Sequence, residues 1–174
     1  MIEGILLAAH VVAGILFVGP VAVTTSMFPR VVPSEAPAAA GAVVGAGGGA
    51  GTETGGVSGY LPRQMQRRES APVAATLHRI TRTYAVAALA VPVIGLVLAA
   101  TQGRLTEVWI VAAMVLTAVA GGLLALRIVP LQADTLDRPA APADLRALRS
   151  LTGIFNLLWV TVVVLMVLRP GAYG

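Results

Sequence analysis

The chain has no cysteine and no lysine. The first absence excludes disulfides, zinc–thiolate sites, iron–sulfur clusters and cysteine nucleophiles together. The second excludes Schiff-base chemistry and a phosphate-loop lysine. Charge of either sign is scarce: 11% of the 174 residues are charged, against roughly a quarter in an ordinary soluble domain. Hydrophobic residues fill the gap at 57%, and mean hydropathy is +0.85. A chain of this length makes one domain, and one so poor in charge turns much of its surface to lipid. The twelve basic residues, all arginine, flank apolar runs as topology signals do. Nucleic-acid binding needs a basic face on a soluble fold, so the expected partner is the lipid bilayer and not nucleic acid.

Counting histidine as neutral, uncharged runs fall at Gly4–Pro29, Thr83–Gly103, Val108–Leu126 and Ser150–Leu168, of 26, 21, 19 and 19 residues. About 20 apolar residues cross ~30 Å of hydrocarbon as a helix. A closed barrel needs alternating strands of about ten residues, and no such alternation occurs. The expected fold is therefore all-α, a bundle of four transmembrane helices at about 4–28, 73–102, 107–129 and 144–169 within a single membrane domain, 1–174. The first run lacks the basic flank of a secretory signal and exceeds its usual apolar length, so it reads as an uncleaved span.

Ten arginines lie between the first and second runs or between the third and fourth; only Arg104 and Arg169 lie on the other side. That bias places both termini outside and the two longer connections in the cytoplasm. Spans two and four read as starting in the cytoplasm with amphipathic extensions. Val73, Leu77, Ile80 and Tyr84 recur at helical spacing after Pro72, and Asp144 is placed to cap a helix whose Leu145, Leu148, Thr152 and Phe155 share a face. The two extensions also match each other, LHRITRTY (77–84) against LRSLTGIF (148–155), which fits either a parallel repeat of hairpins or chance likeness between arginine-flanked helices. Residues 34–59, rich in glycine and alanine, read as a flexible cytoplasmic linker. The GAGGGA within it has no strand before it and no helix after it, so it is no dinucleotide fingerprint.

Lipid does not drive apolar helices together, so small residues that let backbones approach are the candidates for packing. These are Ala9, Ala13 and Gly14 in the first span, Ala87, Ala88 and Gly95 in the second, and the ladder Ala113, Thr117, Gly121 in the third. Pro20 and Pro92 each remove a helix hydrogen bond and are expected to kink their spans. Asn156 and Thr161 are expected to make interhelical hydrogen bonds.

His10 is the one ionisable side chain within the first span. It shares a face with Ala13, Gly14, Phe17, Val21 and Thr24, which points it at other helices. A neutral imidazole there either bonds a backbone carbonyl or interfacial water, or acts as a ligand to haem b or a metal, or as a proton relay. His78, the only other histidine, falls at the cytoplasmic start of span two, so a bis-histidine haem within one subunit is disfavoured. The five methionines are scattered and form no copper motif. His78, Arg79 and Arg82 form the densest polar group and read as a lipid-headgroup anchor. No paired carboxylates lie within a span, and Glu3 and Glu107 read as boundary charges. No catalytic constellation is complete.

The stretch LLAAHVVAGILFVGPVAVTTSMFPR resembles the first span of an uncharacterised family of bacterial four-span predicted integral membrane proteins, through His10, Ala13 and Gly19. The likeness continues through TLHRITRTYAVAALAVPVIGLVLA and GIFNLLWVTVVVLMVLRPG and covers all four spans. The glycine-rich insert departs from the shorter connection of that family. More distantly the chain looks like copper-resistance D membrane proteins and four-span haem-associated protoporphyrinogen oxidases, which also carry a histidine early in span one. Only His10 maps onto that histidine, so the resemblance alone carries neither copper transport nor haem-linked oxidation. The leading expectation is a non-enzymatic multi-pass protein of a bacterial plasma membrane, a structural or accessory subunit of a homo-oligomer or larger membrane assembly. The alternative is a haem- or copper-linked protein using His10.

Overall fold

The computed structural model describes residues 1–33 and 63–170, the side chains of 63–69 excepted. The expected linker at 34–59 lies outside the described residues. Four helices are each long and apolar enough to cross a membrane: α1 (Ile2–Val31), α2 (Ser70–Thr101), α3 (Val108–Asp137) and α4 (Pro142–Leu168). Helical backbone precedes α2 from Arg63 onward. The protein is an all-α four-helix bundle, with no strand among the described residues.

α1 lies along α2, and α3 lies along α4. At the arginine-rich end the pairs also cross over: Gly19–Val31 of α1 packs on α4, and Val129–Asp137 of α3 packs on the first part of α2. Two apolar clusters fill that end. Phe28, Val32, Ala74, Ala140 and Leu148 form one, and Val21, Ala120, Leu124, Ile128 and Phe155 form the other nearer mid-bundle. The connection between α3 and α4 is tied to the end of α1, because the Ala140 N–H donates to the Pro33 carbonyl at 3.0 Å.

Prolines shape three of the helices, and in two different ways. In α1 a wide π turn at Gly14–Val18 comes just before Pro20, and in α3 another at Leu124–Ile128 comes just before Pro130. A wide turn relocates the hydrogen bond that proline cannot make and gives its ring room, so the helix continues. α3 therefore runs on to Asp137 instead of stopping near 129 as the apolar pattern suggested. At Pro92 the solution is a tight break: α2 is interrupted at Ala88–Leu89, and the Ala88 carbonyl, which the ring would otherwise strike, accepts from the Val91 N–H at 3.1 Å.

A belt of buried polar groups joins the helices toward the arginine-rich end. The Thr24 and Thr81 hydroxyls are 2.8 Å apart between α1 and α2. The Thr152 hydroxyl donates to the Thr25 carbonyl at 3.4 Å, and the Asn156 amide to Ser26 Oγ at 3.2 Å, both between α4 and α1. His78 Nδ1 lies 3.2 Å from Gln132 Oε1 between α2 and α3. Thr161 does not join this belt. It faces outward and donates to the Leu157 carbonyl of its own helix at 2.9 Å, as hydroxyls on lipid-facing surfaces commonly do.

The first part of α2 faces inward through Ala74 and Thr81, both fully buried, with Leu77 partly buried; Val73, expected on that stripe, points outward. α4 begins as its pattern indicated. Pro142 opens the helix, Asp144 accepts the Ala141 N–H at 3.2 Å and pairs with Arg138 at 2.8 Å, and Leu148, Thr152 and Phe155 are buried.

Thr81→Val should lower stability by about 0.6 kcal/mol, the average of interhelical hydrogen bonds in membrane proteins. Phe155→Ala should cost about 3–5 kcal/mol through lost packing. Unfolding titrations in mixed micelles will check the order: a threonine effect as large as the phenylalanine effect contradicts this account of the core.

Candidate functional site, a cleft between α1 and α4

At the end that carries Ile2 and Leu168, the main pairs are α1 with α2 and α3 with α4. The space left between α1 and α4 is a cleft of about 1120 Å³. Its lips are apolar and exposed: Val11 and Ile15 on α1 are 50% and 72% exposed, Val160 and Val163 on α4 are 59% and 57%. The π turn of α1 forms part of the wall, through Gly14, Ile15 and Val18.

His10 stands on this wall. Its Nδ1 lies 3.0 Å from the carbonyl oxygen of Val91 on α2. A carbonyl only accepts, so Nδ1 donates, and in the neutral ring the lone pair is then on Nε2. The contact depends on Gly95. In a helix, the carbonyl of one residue points toward the side chain one turn on, and Gly95 has none to shield Val91. A Cβ added at Gly95 would come within 2.8 Å of His10 Cε1.

The floor of the cleft is formed on α4 by Asn156 and Trp159, which packs edge-on against Phe155 with ring centroids 6.3 Å apart. The buried atoms Asn156 Oδ1 and Trp159 Nε1 have no hydrogen-bond partner among the described residues. The mouth holds Gln102, Trp109 and Arg169. The Arg169 guanidinium lies 6.0 Å from the Trp109 ring centroid, and Trp109 in turn donates to Glu107. Glu107 also pairs with Arg104 at 2.9 Å. Arg169 has no carboxylate partner among the described residues.

The other expected residues are distributed as follows. His78 is partly buried and turned to Gln132, inside the bundle, while Arg79 and Arg82 are exposed. The expected headgroup trio is thus split, because His78 lies on the side of α2 that meets α3. Ala13 and Ala113 are buried packing positions and Thr117 is partly buried. Gly14 and Gly121 do not mediate close approach, since an added Cβ would meet no atom within 4 Å at either. Gly14 borders the cleft instead, where no helix comes near. Pro20 follows the π turn within the continuous α1, and Pro92 follows the break in α2, as described above. Among the described residues, no three His, Asp or Glu side chains gather as a metal site.

Reasoning from the sequence alone missed the cleft mouth. Trp109 and Arg169 sit at helix ends sixty residues apart, and only the return of α4 beside α3 brings them together. Comparison with protein families, with curated proteins and with solved structures finds no match.

Gly95→Ala should leave the bundle folded and push the His10 ring off the Val91 carbonyl, because the ring is the group that can move. Nitrogen-15 spectra of histidine will check this: the Nδ1-protonated tautomer of His10 should be lost in Gly95→Ala and kept in Gly14→Ala.

Proposed function

We propose that this chain is a multi-pass integral membrane protein of a bacterial plasma membrane, acting as a structural or accessory subunit of a homo-oligomer or larger membrane assembly. The supporting observation is the distribution of apolar surface. In the most apolar window of each helix, between 17% and 28% of residues are buried inside the bundle. The rest faces lipid or other helices, and a face of that kind suits association through packing. Arginine placement supports an orientation with both termini outside: Arg30, Arg79, Arg82, Arg127, Arg146 and Arg149 are exposed at one end of the bundle, whereas Arg104 and Arg169 lie at the other.

A second reading rests on His10. An imidazole whose Nδ1 is held by a backbone carbonyl presents Nε2 in a fixed direction, as ligating histidines do. One histidine, His10, would hold a haem group beside the apolar cleft. A second histidine from the same chain does not fit: His78 and Val91 are thirteen residues apart on α2, about 20 Å at 1.5 Å per residue, and His10 is bonded at Val91. Haem bound there would supply one-electron chemistry, with His10 held against rotation by α2. Copper would need further soft ligands, which none of the scattered methionines supplies within a motif.

Purification in mild detergent, followed by absorption spectroscopy and mass spectrometry, separates the two. The leading reading expects a co-purifying polypeptide, or a multiple of the chain mass, with no Soret band. A Soret band that His10→Ala abolishes would replace it with the second reading. For orientation, a reporter fused after Gly174 that is active only outside the cell should be active.

A further inference from the structure

We infer that the cleft between α1 and α4 is a site for one anionic glycerophospholipid, with an acyl chain in the apolar groove and the phosphate at Arg169. Three observations converge on this occupant. The first is depth. Asn156 on the floor and Arg169 at the mouth are thirteen residues apart on α4, about 20 Å along the helix. One leaflet of hydrocarbon is about 15 Å, half of the ~30 Å core. The groove thus runs from the headgroup level to the middle of the bilayer, the course of a single acyl chain.

The second is access. Val11, Ile15, Val160 and Val163 are exposed on both lips, so the groove opens sideways to the bilayer and a chain slides in without leaving hydrocarbon. The third is charge. At the mouth Arg104 and Glu107 satisfy each other, while Arg169 is steered by the Trp109 ring and has no carboxylate partner among the described residues. Arg169 follows the last helical residue of α4 in a left-handed conformation, φ 44° and ψ 57°, and its Nε bonds the Met166 carbonyl at 3.4 Å. The side chain is thereby drawn back over the groove it caps. A guanidinium in that position recognises a phosphate bidentately and selects an anionic lipid over a zwitterionic one. The proposal rests on the chain being membrane-embedded, and on neither the accessory nor the haem reading.

The chain has two tryptophans, Trp109 and Trp159, and both line the cleft. Their fluorescence therefore reports occupancy without a label. The full chain is reconstituted into phosphatidylcholine vesicles holding a small fraction of acyl-brominated phosphatidylglycerol, or the same fraction of acyl-brominated phosphatidylcholine. The expected result is several-fold stronger quenching by the anionic lipid. Arg169→Gln should bring the two lipids to parity. Gly14→Leu, which adds bulk where an added Cβ meets open space, should reduce quenching by both. Equal quenching by the two lipids in the unmodified chain would mean annular lipid only and would overturn the site. So would insensitivity to Gly14→Leu, or protection from both lipids, which would show the cleft filled by a second copy, another protein or a cofactor. Flotation with the vesicles reads membrane association by itself: a chain that stays behind overturns both inferences, and one that floats with unselective quenching overturns only the lipid site.

Discussion

Helices in hydrocarbon gain nothing from hiding apolar side chains from one another, because lipid tails are as apolar as leucine. What holds such a bundle is close packing and hydrogen bonds that cross between helices. Here both are concentrated at the arginine-rich end. The contacts of Thr24 with Thr81, Thr152 with Thr25, Asn156 with Ser26 and His78 with Gln132 link every helix to another, and Phe28, Ile128, Leu148 and Phe155 pack around them. At the opposite end the sole interhelical hydrogen bond among the described residues is His10 to Val91. α1 is therefore held to α2 there and is free to stand away from α4. The cleft follows from that uneven distribution of polar links.

The two hairpins solve the same problems at equivalent places. Pro20 and Pro130 each follow a π turn, and a buried threonine comes five residues after each, Thr25 and Thr135. Leu77, Thr81 and Tyr84 in α2 match Leu148, Thr152 and Phe155 in α4, and Thr81 and Thr152 both reach α1. The crossed contacts are also reciprocal, the second half of α1 on α4 and the second half of α3 on α2. The environments of the two π turns differ, however. Leu124 and Ile128 of the second are buried in the core, whereas Gly14 and Ile15 of the first border the cleft. The same backbone device thus packs one hairpin tightly and leaves the other with a hollow flank.

The helix count, the helical face of His10 and the start of α4 were legible in the sequence because each depends on local pattern: hydropathy over about 20 residues, the 3.6-residue period, and a first-turn aspartate. The end of α3 was not. Pro130 reads as a stop signal unless the wide turn before it is known, and that turn shows in no composition. Of the small residues, Ala13 and Ala113 are buried and Gly95 lies against the His10 ring, whereas an added Cβ at Gly14 or Gly121 would meet no atom within 4 Å. The small-residue rule identifies where backbones are able to approach, while the polar links decide where they do. His78 was assigned to the lipid side because it neighbours Arg79. One residue on a helix is a 100° turn, enough to put the arginine outside and the histidine against Gln132.

The histidine that marks the first span uses only one of its two nitrogens in a hydrogen bond to the described residues. Nδ1 is spent on Val91 and supports the open end of the bundle. Nε2 makes no hydrogen bond to any described residue, and the ring borders a cleft whose other polar groups sit at its two extremes, Asn156 at the floor and Arg169 at the mouth. An acyl chain lying along that wall would pass His10 without needing its lone pair, and a ligand seeking the lone pair would have to occupy the same groove. Lipid and cofactor are therefore competitors for one volume. Because Gly95 makes room for the ring in its present position, a ligand in the groove would be coupled through His10 to the packing of α1 on α2.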